Sequence, residues 1–453
     1  MLAGRLRDAR RMLQLLLVLL LPLLVMATAR AVKTNAFFRD VLKSPRFFSA
    51  PMVDQSSLSW RLLVRSHGAD VAFSQMCHAR NFVNDRKYRG ECIDWEDYSH
   101  SSGRKEDEEA ARTLDAPHIA QLAGDDPETL VRAGKLMSAN GGTLAAIDLN
   151  LGCPQKIAKK GNYGAFLLRD PPLIKRCLTA MVKGLDVPVT AKVRRLATDE
   201  ETIELCQMIE ACGVQMLTIH GRRVEENKLF TGPADWAIIK KVVDALSIPV
   251  VANGGVSSHE DALKCLEETG AAGVMSSEAL LENPRLFSKE GDADFRQNYI
   301  QSQLNVAEEY IRLVKCHRLP RPLFQVVRSH LFKFCFKMLD CPGNGDLREV
   351  LAEGDFDQMQ GVVGQLRSRY EAVGMDENMA LERGLLGPTN WYYRHRDERA
   401  SKRIVSQPRD LKRLVEQGLV LGGRVGMEQP QSLDSSERMA QLKTRLLLKH
   451  GSS

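Results

Sequence analysis

Cys153 is the residue of this sequence best placed to do chemistry. It stands in the run Asp148-Leu-Asn-Leu-Gly-Cys-Pro154, between a glycine and a proline, and directly follows a predicted strand. A thiol held on a rigid loop can act as a nucleophile or as a general acid. The alternative is a buried structural cysteine, which a lone cysteine usually is.

Polar residues recur at the ends of the neighbouring predicted strands. They are Gln121, Asn150, Lys192, His220, Asn253 with Gly254 and Gly255, and Ser276 with Ser277. One strand-end amide is usually a local turn former. The convergence of these polar side chains on the carboxyl ends of parallel strands predicts a cofactor site. No His-Asp relay accompanies Cys153, so beside a cofactor the favoured interpretation of its thiol is proton donation.

The elements that must position these residues form a regular alternation between residues 45 and 290. Eight short apolar runs are predicted strands, at 47–52, 71–74, 118–122, 145–150, 187–193, 215–220, 248–253 and 272–276. Helical periodicity lies between them, at 126–140, 199–212, 233–246 and 258–269. Strands that are apolar throughout indicate a parallel sheet covered on both faces. Eight such units predict an α/β fold of the (β/α)8 TIM-barrel type, and no GxGxxG run supports a doubly wound sheet.

The flanks of this region differ in composition. In residues 1–44, four arginines precede an apolar run at 12–29, which is typical of a signal peptide, a marginal anchor or a transit segment. Segment 91–116 holds nine acidic and three basic residues and predicts a solvated loop. Residues 294–373 predict a smaller all-helical domain, and 374–453 predict a basic, partly disordered tail. The ten cysteines form no CxxC pairs, so neither a disulfide scaffold nor a metal site is expected.

A predicted helix at 324–339 carries Arg328, Lys333 and Lys337. The first interpretation is a solvated basic face, and the second is a surface that contacts RNA phosphates. The net charge of +6 is too small to decide between them.

Six runs, in one order along the chain, resemble the tRNA-dihydrouridine synthase family. They are Ala50-Pro-Met52, Asp148-Leu-Asn-Leu-Gly-Cys-Pro-Gln155, Gly161-Asn-Tyr-Gly-Ala-Phe-Leu167, Thr190-Ala-Lys-Val-Arg194, Thr218-Ile-His-Gly-Arg222 and Val251-Ala-Asn-Gly-Gly255. The third run most resembles the eukaryotic branch that acts on D-loop uridines 16 and 17. The resemblance covers roughly residues 47–370.

The resemblance implies an enzyme that reduces uridine in tRNA, with FMN as cofactor and NADPH or NADH as electron donor. Hydride passes from flavin N5 to uracil C6, and Cys153 gives the proton to C5. The implied FMN contacts are Pro51, Met52, Val53, Gln121, Lys192, His220, Asn253, Gly254, Gly255, Ser276 and Ser277. The helical domain is implied to bind tRNA, which favours the RNA interpretation of Arg328, Lys333 and Lys337.

The chain departs from the family pattern after the eighth strand, where Glu278 stands in place of the usual phosphate-binding arginine. Backbone N–H groups and the two serines are then expected to hold the phosphate. The resemblance implies a cytoplasmic or nuclear location, whereas the N-terminal run allows organelle or endomembrane targeting. Two other functions stay open: a flavin barrel acting on a small molecule, of the dihydroorotate type, and a non-catalytic RNA-binding barrel.

Overall fold

The computed structural model describes residues 32–92, 113–139, 144–226, 231–317 and 324–393. The apolar run at 12–29, most of the acidic segment and the tail beyond residue 393 lie outside the described residues. In the described part of the chain, no helix is both long and apolar enough to cross a membrane.

Eight parallel strands form a closed barrel in which each strand pairs with the next and β1 pairs with β8. The strands are Phe47–Ser49 (β1), Val71–His78 (β2), His118–Ala123 (β3), Leu144–Leu151 (β4), Val189–Arg194 (β5), Leu217–His220 (β6), Val250–Asn253 (β7) and Gly273–Ser276 (β8). All eight predicted strands are confirmed, and so is the TIM barrel. The apolar side chains of the strands are buried because helices cover the outer face.

Helices follow the strands and surround the barrel. They are Leu58–Ser66 (α1), Ala79–Asn84 (α2), Arg86–Cys92 (α3), Pro127–Ala139 (α4), Lys156–Lys160 (α5), Pro171–Gly184 (α6), Asp199–Ala211 (α7), Trp236–Ala245 (α8), His259–Thr269 (α9) and Glu278–Glu282 (α10). Local chemistry explains their ends. Ser258 caps α9 by accepting a hydrogen bond from the Asp261 N–H, and Gly270 ends it with a left-handed φ of +66°.

We call the end of the barrel at the carboxyl ends of the strands its mouth. The opposite end is closed by apolar side chains of the segment that precedes β1. Phe37, Phe38 and Leu42 pack in one cluster with residues from the amino ends of the strands, such as Phe48 and Ile119. This leaves the carboxyl ends of the strands as the open face, where the polar strand-end residues lie.

Among the described residues, seven α-helices come after the barrel: Lys289–Gln297 (α11), Tyr299–Cys316 (α12), Phe324–Phe334 (α13), Phe336–Leu339 (α14), Gly345–Glu353 (α15), Phe356–Glu371 (α16) and Glu377–Glu382 (α17). The helix predicted at 324–339 is present but is interrupted at Cys335, where ψ is +18°. These helices share a hydrophobic core with the barrel, and the Trp60 ring stacks on His330 at 4.6 Å. Compared with the predicted helical range of 294–373, the helices begin earlier, at Lys289, and continue to Glu382.

Candidate active site at the barrel mouth

Asn150 and Arg194 hold the loop that carries Cys153. The Asn150 side-chain oxygen accepts hydrogen bonds from the backbone N–H of Gly152 at 3.0 Å and of Cys153 at 2.9 Å. On the other side, Arg194 Nε donates to the Gly152 carbonyl at 2.7 Å. The turn after β4 is thus fixed by side chains from β4 and β5, which fixes the thiol at the mouth.

Gly164 packs directly against Cys153. Its φ is +64°, and a Cβ at this position would lie 2.9 Å from both the Cβ and the carbonyl oxygen of Cys153. The next residue, Ala165, donates its N–H to that same carbonyl at 3.1 Å. Only glycine fits here, because the backbone is left-handed and the neighbouring chain leaves no room for a side chain.

Burial raises the pKa of the Cys153 thiol, and this effect outweighs the opposing influence of Arg194 and Lys192. The thiol therefore keeps its proton at neutral pH. A reactive nucleophilic cysteine needs the opposite shift, because the thiolate is the nucleophile. A protonated thiol suits proton donation better than nucleophilic attack, and the role of Cys153 as the acid stays a prediction.

A buried polar chain supports Asn150 from below. Asn150 Nδ2 donates to Gln121 Oε1 at 2.7 Å, and Gln121 Nε2 donates to Asp148 at 2.8 Å. Asp148 also accepts from the Thr190 hydroxyl at 2.7 Å, and burial raises its pKa to about 6. Gln121 is fully buried and uses both ends of its amide within the barrel. The structure therefore shows Gln121 orienting Asn150, and its contact with a flavin edge stays a prediction.

Lys192 reaches across the barrel from β5 to β7. Its Nζ donates to Asn253 Oδ1 at 2.7 Å, and Asn253 in turn donates to the Met275 carbonyl. Burial, with the Arg194 charge second, lowers the pKa of Lys192 to about 7. The ammonium can donate three hydrogen bonds, and one acceptor is found among the described residues. An anion, or the electron-rich edge of a cofactor, at this mouth would accept further hydrogen bonds from Lys192 and favour its charged form.

His220 ends β6 as a neutral hydrogen-bond donor. Its Nδ1 accepts the Arg222 backbone N–H at 3.2 Å, which places the proton on Nε2. Burial and then the charges of Arg194 and Lys192 hold its pKa well below the usual range. Within the described ranges, no acceptor is found for the Nε2 proton.

Gly254 and Gly255 follow β7 with left-handed φ values of +105° and +79°. A Cβ on Gly254 would lie 2.9 Å from the His220 ring, so this turn requires glycine. Neither backbone N–H has an acceptor in the described part of the chain. Consecutive N–H groups in such a turn bind anions. Together with Lys192 and His220, they form a donor set that fits an anionic cofactor such as FMN.

The loop after β1 and the end of β8 lie side by side. The Ala50 N–H donates to the Ser276 carbonyl at 3.0 Å, next to Pro51 and Met52. Met52 is half-buried and Val53 is exposed, as expected for residues that would face a ligand. Ser276 is buried and donates to the Val256 carbonyl, whereas Ser277 stays partly exposed at the start of α10. Their phosphate contacts remain a prediction.

Arg328 and Lys333 have partners within the protein. Arg328 donates to the Leu351 carbonyl at 2.9 Å and to the Gly354 carbonyl at 2.7 Å, at the end of α15. Lys333 donates to Gln55 Oε1 at 2.8 Å, on the loop after β1.

Lys337 is largely buried, with 13% of its side chain exposed. Its Nζ lies 3.6 Å from Glu377 and 4.5 Å from the centre of the Tyr299 ring. The structure therefore does not bring Arg328, Lys333 and Lys337 together on one open face, and their contact with RNA stays a prediction.

Gly164 and Arg194, which contact the Cys153 loop, were not singled out from the sequence, and Asn150 was singled out only as one of the polar strand-end residues. All three lie inside runs that carry the family resemblance, so the signal was present in the sequence. What was missing was the contact information, because spacing alone does not show that β5 or the segment after α5 touches the Cys153 loop.

Comparison with family models identifies the family to which this barrel belongs. Residues 48–368 match the family model described as dihydrouridine synthase (Dus). The match covers more than half of the chain, and the chain belongs to this family.

Curated relatives agree with this assignment. The mouse protein named tRNA-dihydrouridine(16/17) synthase [NAD(P)(+)]-like is 40% identical over 317 residues, which cover 70% of this chain and 60% of the mouse protein. The Saccharomyces cerevisiae tRNA-dihydrouridine(16/17) synthase [NAD(P)(+)] is 37% identical, over 69% of this chain and 70% of the yeast protein. Its Schizosaccharomyces pombe counterpart is 35% identical, over 73% and 80%. The chain thus spans less than two thirds of the mouse relative.

Proposed function

We propose that this chain is a tRNA-dihydrouridine synthase that reduces the C5=C6 bond of uridines 16 and 17 in the tRNA D-loop. NADPH or NADH is the electron donor and FMN is the bound cofactor. The observation that carries the proposal is the position of Cys153, on a loop fixed by Asn150 and Arg194 beside a donor-lined mouth in a dihydrouridine synthase barrel. The names of the yeast and mouse relatives support the substrate and the positions.

The mouth residues divide into those that hold the cofactor and the one that moves a proton. Lys192, His220 and the N–H groups of Gly254 and Gly255 would supply hydrogen-bond donors to FMN, and residues 51–53 would contact it through backbone groups. When bound, FMN supplies the hydride for the reduction. Lys192 would stabilise negative charge on the neighbouring edge of the cofactor, because a fixed cation favours a negative charge beside it.

Cys153 delivers the proton. Reduction of a double bond conjugated to a carbonyl leaves negative charge on uracil C5, so an acid must stand at that carbon. The Cys153 Sγ holds a proton at neutral pH because burial raises its pKa. The hydrogen bonds of its loop fix the direction from which the proton comes, and Gly164 keeps the backbone there close-packed.

The test is dihydrouridine formation by the purified full chain on an unmodified tRNA transcript with NADPH. The flavin absorption band should be present, and mass spectrometry should find the gain of two hydrogens at uridines 16 and 17. A transcript with cytidines at these two positions is the matched control. A flavin band without any product would favour the small-molecule oxidoreductase, and a protein without flavin would favour the non-catalytic RNA-binding barrel.

A further inference from the structure

The short helix α5 differs from its surroundings in both charge and exposure. It begins three residues after Cys153 and carries Lys156, Lys159 and Lys160, all exposed. Of its five residues, only Ala158 is buried. Ile157, an apolar side chain, is 63% exposed between the lysines. The helix therefore presents almost its whole surface to solvent beside the reactive thiol.

No carboxylate balances these lysines nearby in the chain. The stretch from residue 152 to residue 169 contains no Asp or Glu at all. Among the ion pairs of the described residues, none involves Lys156, Lys159 or Lys160. Asp125, which accepts a hydrogen bond from Asn162 at 3.1 Å, already pairs with Arg80 at 3.8 Å.

Helix-end electrostatics explain only part of this pattern. Lys159 and Lys160 lie in the last turn, where cations complement the partial negative charge of a helix carboxyl end. Lys156 lies at the first position of α5, where that field disfavours a cation. An exposed isoleucine between lysines gains nothing from it either. A stability role thus leaves Lys156 and Ile157 without a reason.

The helix α5 is rigidly tied to the loop of Cys153. Lys159 donates its backbone N–H to the Gln155 carbonyl at 3.2 Å, and Tyr163 donates to the Ala158 carbonyl at 3.1 Å. The Tyr163 ring and Ala158 pack in one small apolar cluster, against which Cys153 also packs. A polyanion bound to α5 would therefore be held at a fixed position relative to the thiol.

We propose that α5 is a docking surface for the phosphate backbone of the RNA substrate, and this inference rests on the proposed function. Lys156 and Lys160 are four residues apart and share one helix face, and Lys159 lies beside Lys160. The three ammonium groups neutralise phosphates, and Ile157 packs against the sugar or base between them. The surface holds the strand next to the target uridine and so sets the position of that nucleotide against Cys153.

The test is RNA binding by the full-length flavin-loaded chain over a series of salt concentrations, with unmodified tRNA transcript as the probe. Each phosphate contact adds about 0.7–0.9 to the slope of log affinity against log salt. Replacing Lys156, Lys159 and Lys160 by Gln should flatten this slope by about two to three units. The corresponding triple Arg variant should keep the slope, because charge and not side-chain shape is required.

The matched control removes the same charge elsewhere. Lys135, Lys183 and Lys240 are exposed on the outer faces of α4, α6 and α8. Their triple Gln variant should leave the slope at the wild-type value. Equal slopes for the α5 and control Gln variants would overturn the proposal, and the thermal midpoints of both variants check that they fold alike.

The outcome for α5 is distinguishable from the outcome for the proposed function. A wild-type chain that binds tRNA with an α5-dependent slope but forms no dihydrouridine would refute the function and keep the docking surface. A wild-type chain that forms dihydrouridine with an α5-independent slope would keep the function and refute the surface. The single variant Ile157→Ser should weaken binding several-fold without changing the slope, and an unchanged affinity would remove Ile157 from the surface.

Discussion

Two basic regions of this molecule look alike in sequence and differ in structure. Lys156, Lys159 and Lys160 on α5 are exposed and have no ion-pair partner in the described part of the chain. The second region, α13 with α14, carries cations that contact other parts of the protein. The difference shows that a run of lysines identifies charge, whereas only the structure shows whether that charge is still available to a ligand.

The contacts of the second region also explain its position. Arg328 donates hydrogen bonds to carbonyl groups at the end of α15. Lys333 links α13 to Gln55 on the loop after β1. His330 reinforces that link through its own hydrogen bond to the Gln55 carbonyl at 2.9 Å. These contacts join the helical segment to the barrel mouth. We therefore expect substitutions there to affect stability first and RNA binding second.

The largest effect should come from replacing Cys153, because this change should lower the reaction rate without altering either basic region. In Cys153→Ala, dihydrouridine formation should fall by about 10²–10⁴-fold, the usual contribution of a general acid. Binding of tRNA and its salt slope should stay at wild-type values, since the thiol carries no charge at neutral pH. Quantitative mass spectrometry of the product and a salt series measure the two quantities. Full product formation by the variant would remove Cys153 from its role.

Gly164→Ala should have the next largest effect, because it disturbs the same loop without touching the thiol. The new Cβ would lie 2.9 Å from Cys153 atoms at a φ of +64°, so the loop must shift. A displacement of about 1 Å at a reacting group typically costs on the order of 10²-fold in rate. Single-turnover kinetics should show a lower rate at unchanged tRNA affinity. Gly364→Ala, on α16 with open space around it, is the control.

The barrel could be predicted from the sequence because its eight strands and four of the helices around it have local signals. Continuous apolar runs predicted the strands, and the Ser258 cap and the left-handed Gly270 of α9 are local features of the same kind. Contacts between distant parts of the chain could not be predicted from these local patterns. The bond between Lys192 and Asn253 spans 61 residues, and the one between Lys333 and Gln55 spans 278. The partners of Gln121, Asn150 and Asp148, also lie on a different strand, so spacing alone could not show these contacts.

A smaller effect is expected of Lys192, which should make the free energy of unfolding depend on pH. Burial lowers its pKa in the folded chain to about 7, from 10.5 in the unfolded chain. Between these values the unfolded chain binds more protons, so stability of the cofactor-free protein should rise with pH through this window. In Lys192→Met this rise should be smaller, by on the order of 1–2 kcal/mol.

Urea unfolding of the cofactor-free chain at about pH 7 and about pH 9.5 would measure this term. Lys183→Met, an exposed lysine on the outer face of α6, is the control and should keep the wild-type pH dependence. Parallel pH profiles for wild type and Lys192→Met would show that this amine keeps an ordinary affinity for protons in the folded chain.

The smallest effect on RNA binding is expected from the second basic region, α13 with α14. Neutralising Arg328, Lys333 and Lys337 to Gln removes hydrogen bonds to Leu351, Gly354 and Gln55 and the ion pair with Glu377. The loss of the two Arg328 hydrogen bonds alone should cost about 1–2 kcal/mol of stability.

The salt slope of tRNA binding should change by less than about one unit in this variant, because these cations are already partnered before RNA arrives. The measurement is the same salt series used for α5, with the thermal midpoint recorded in parallel. A slope flatter by two to three units would mean that the three side chains leave their protein partners for RNA phosphates. That outcome would restore the RNA contacts predicted from the sequence and make α13 with α14, rather than α5 alone, part of the docking surface.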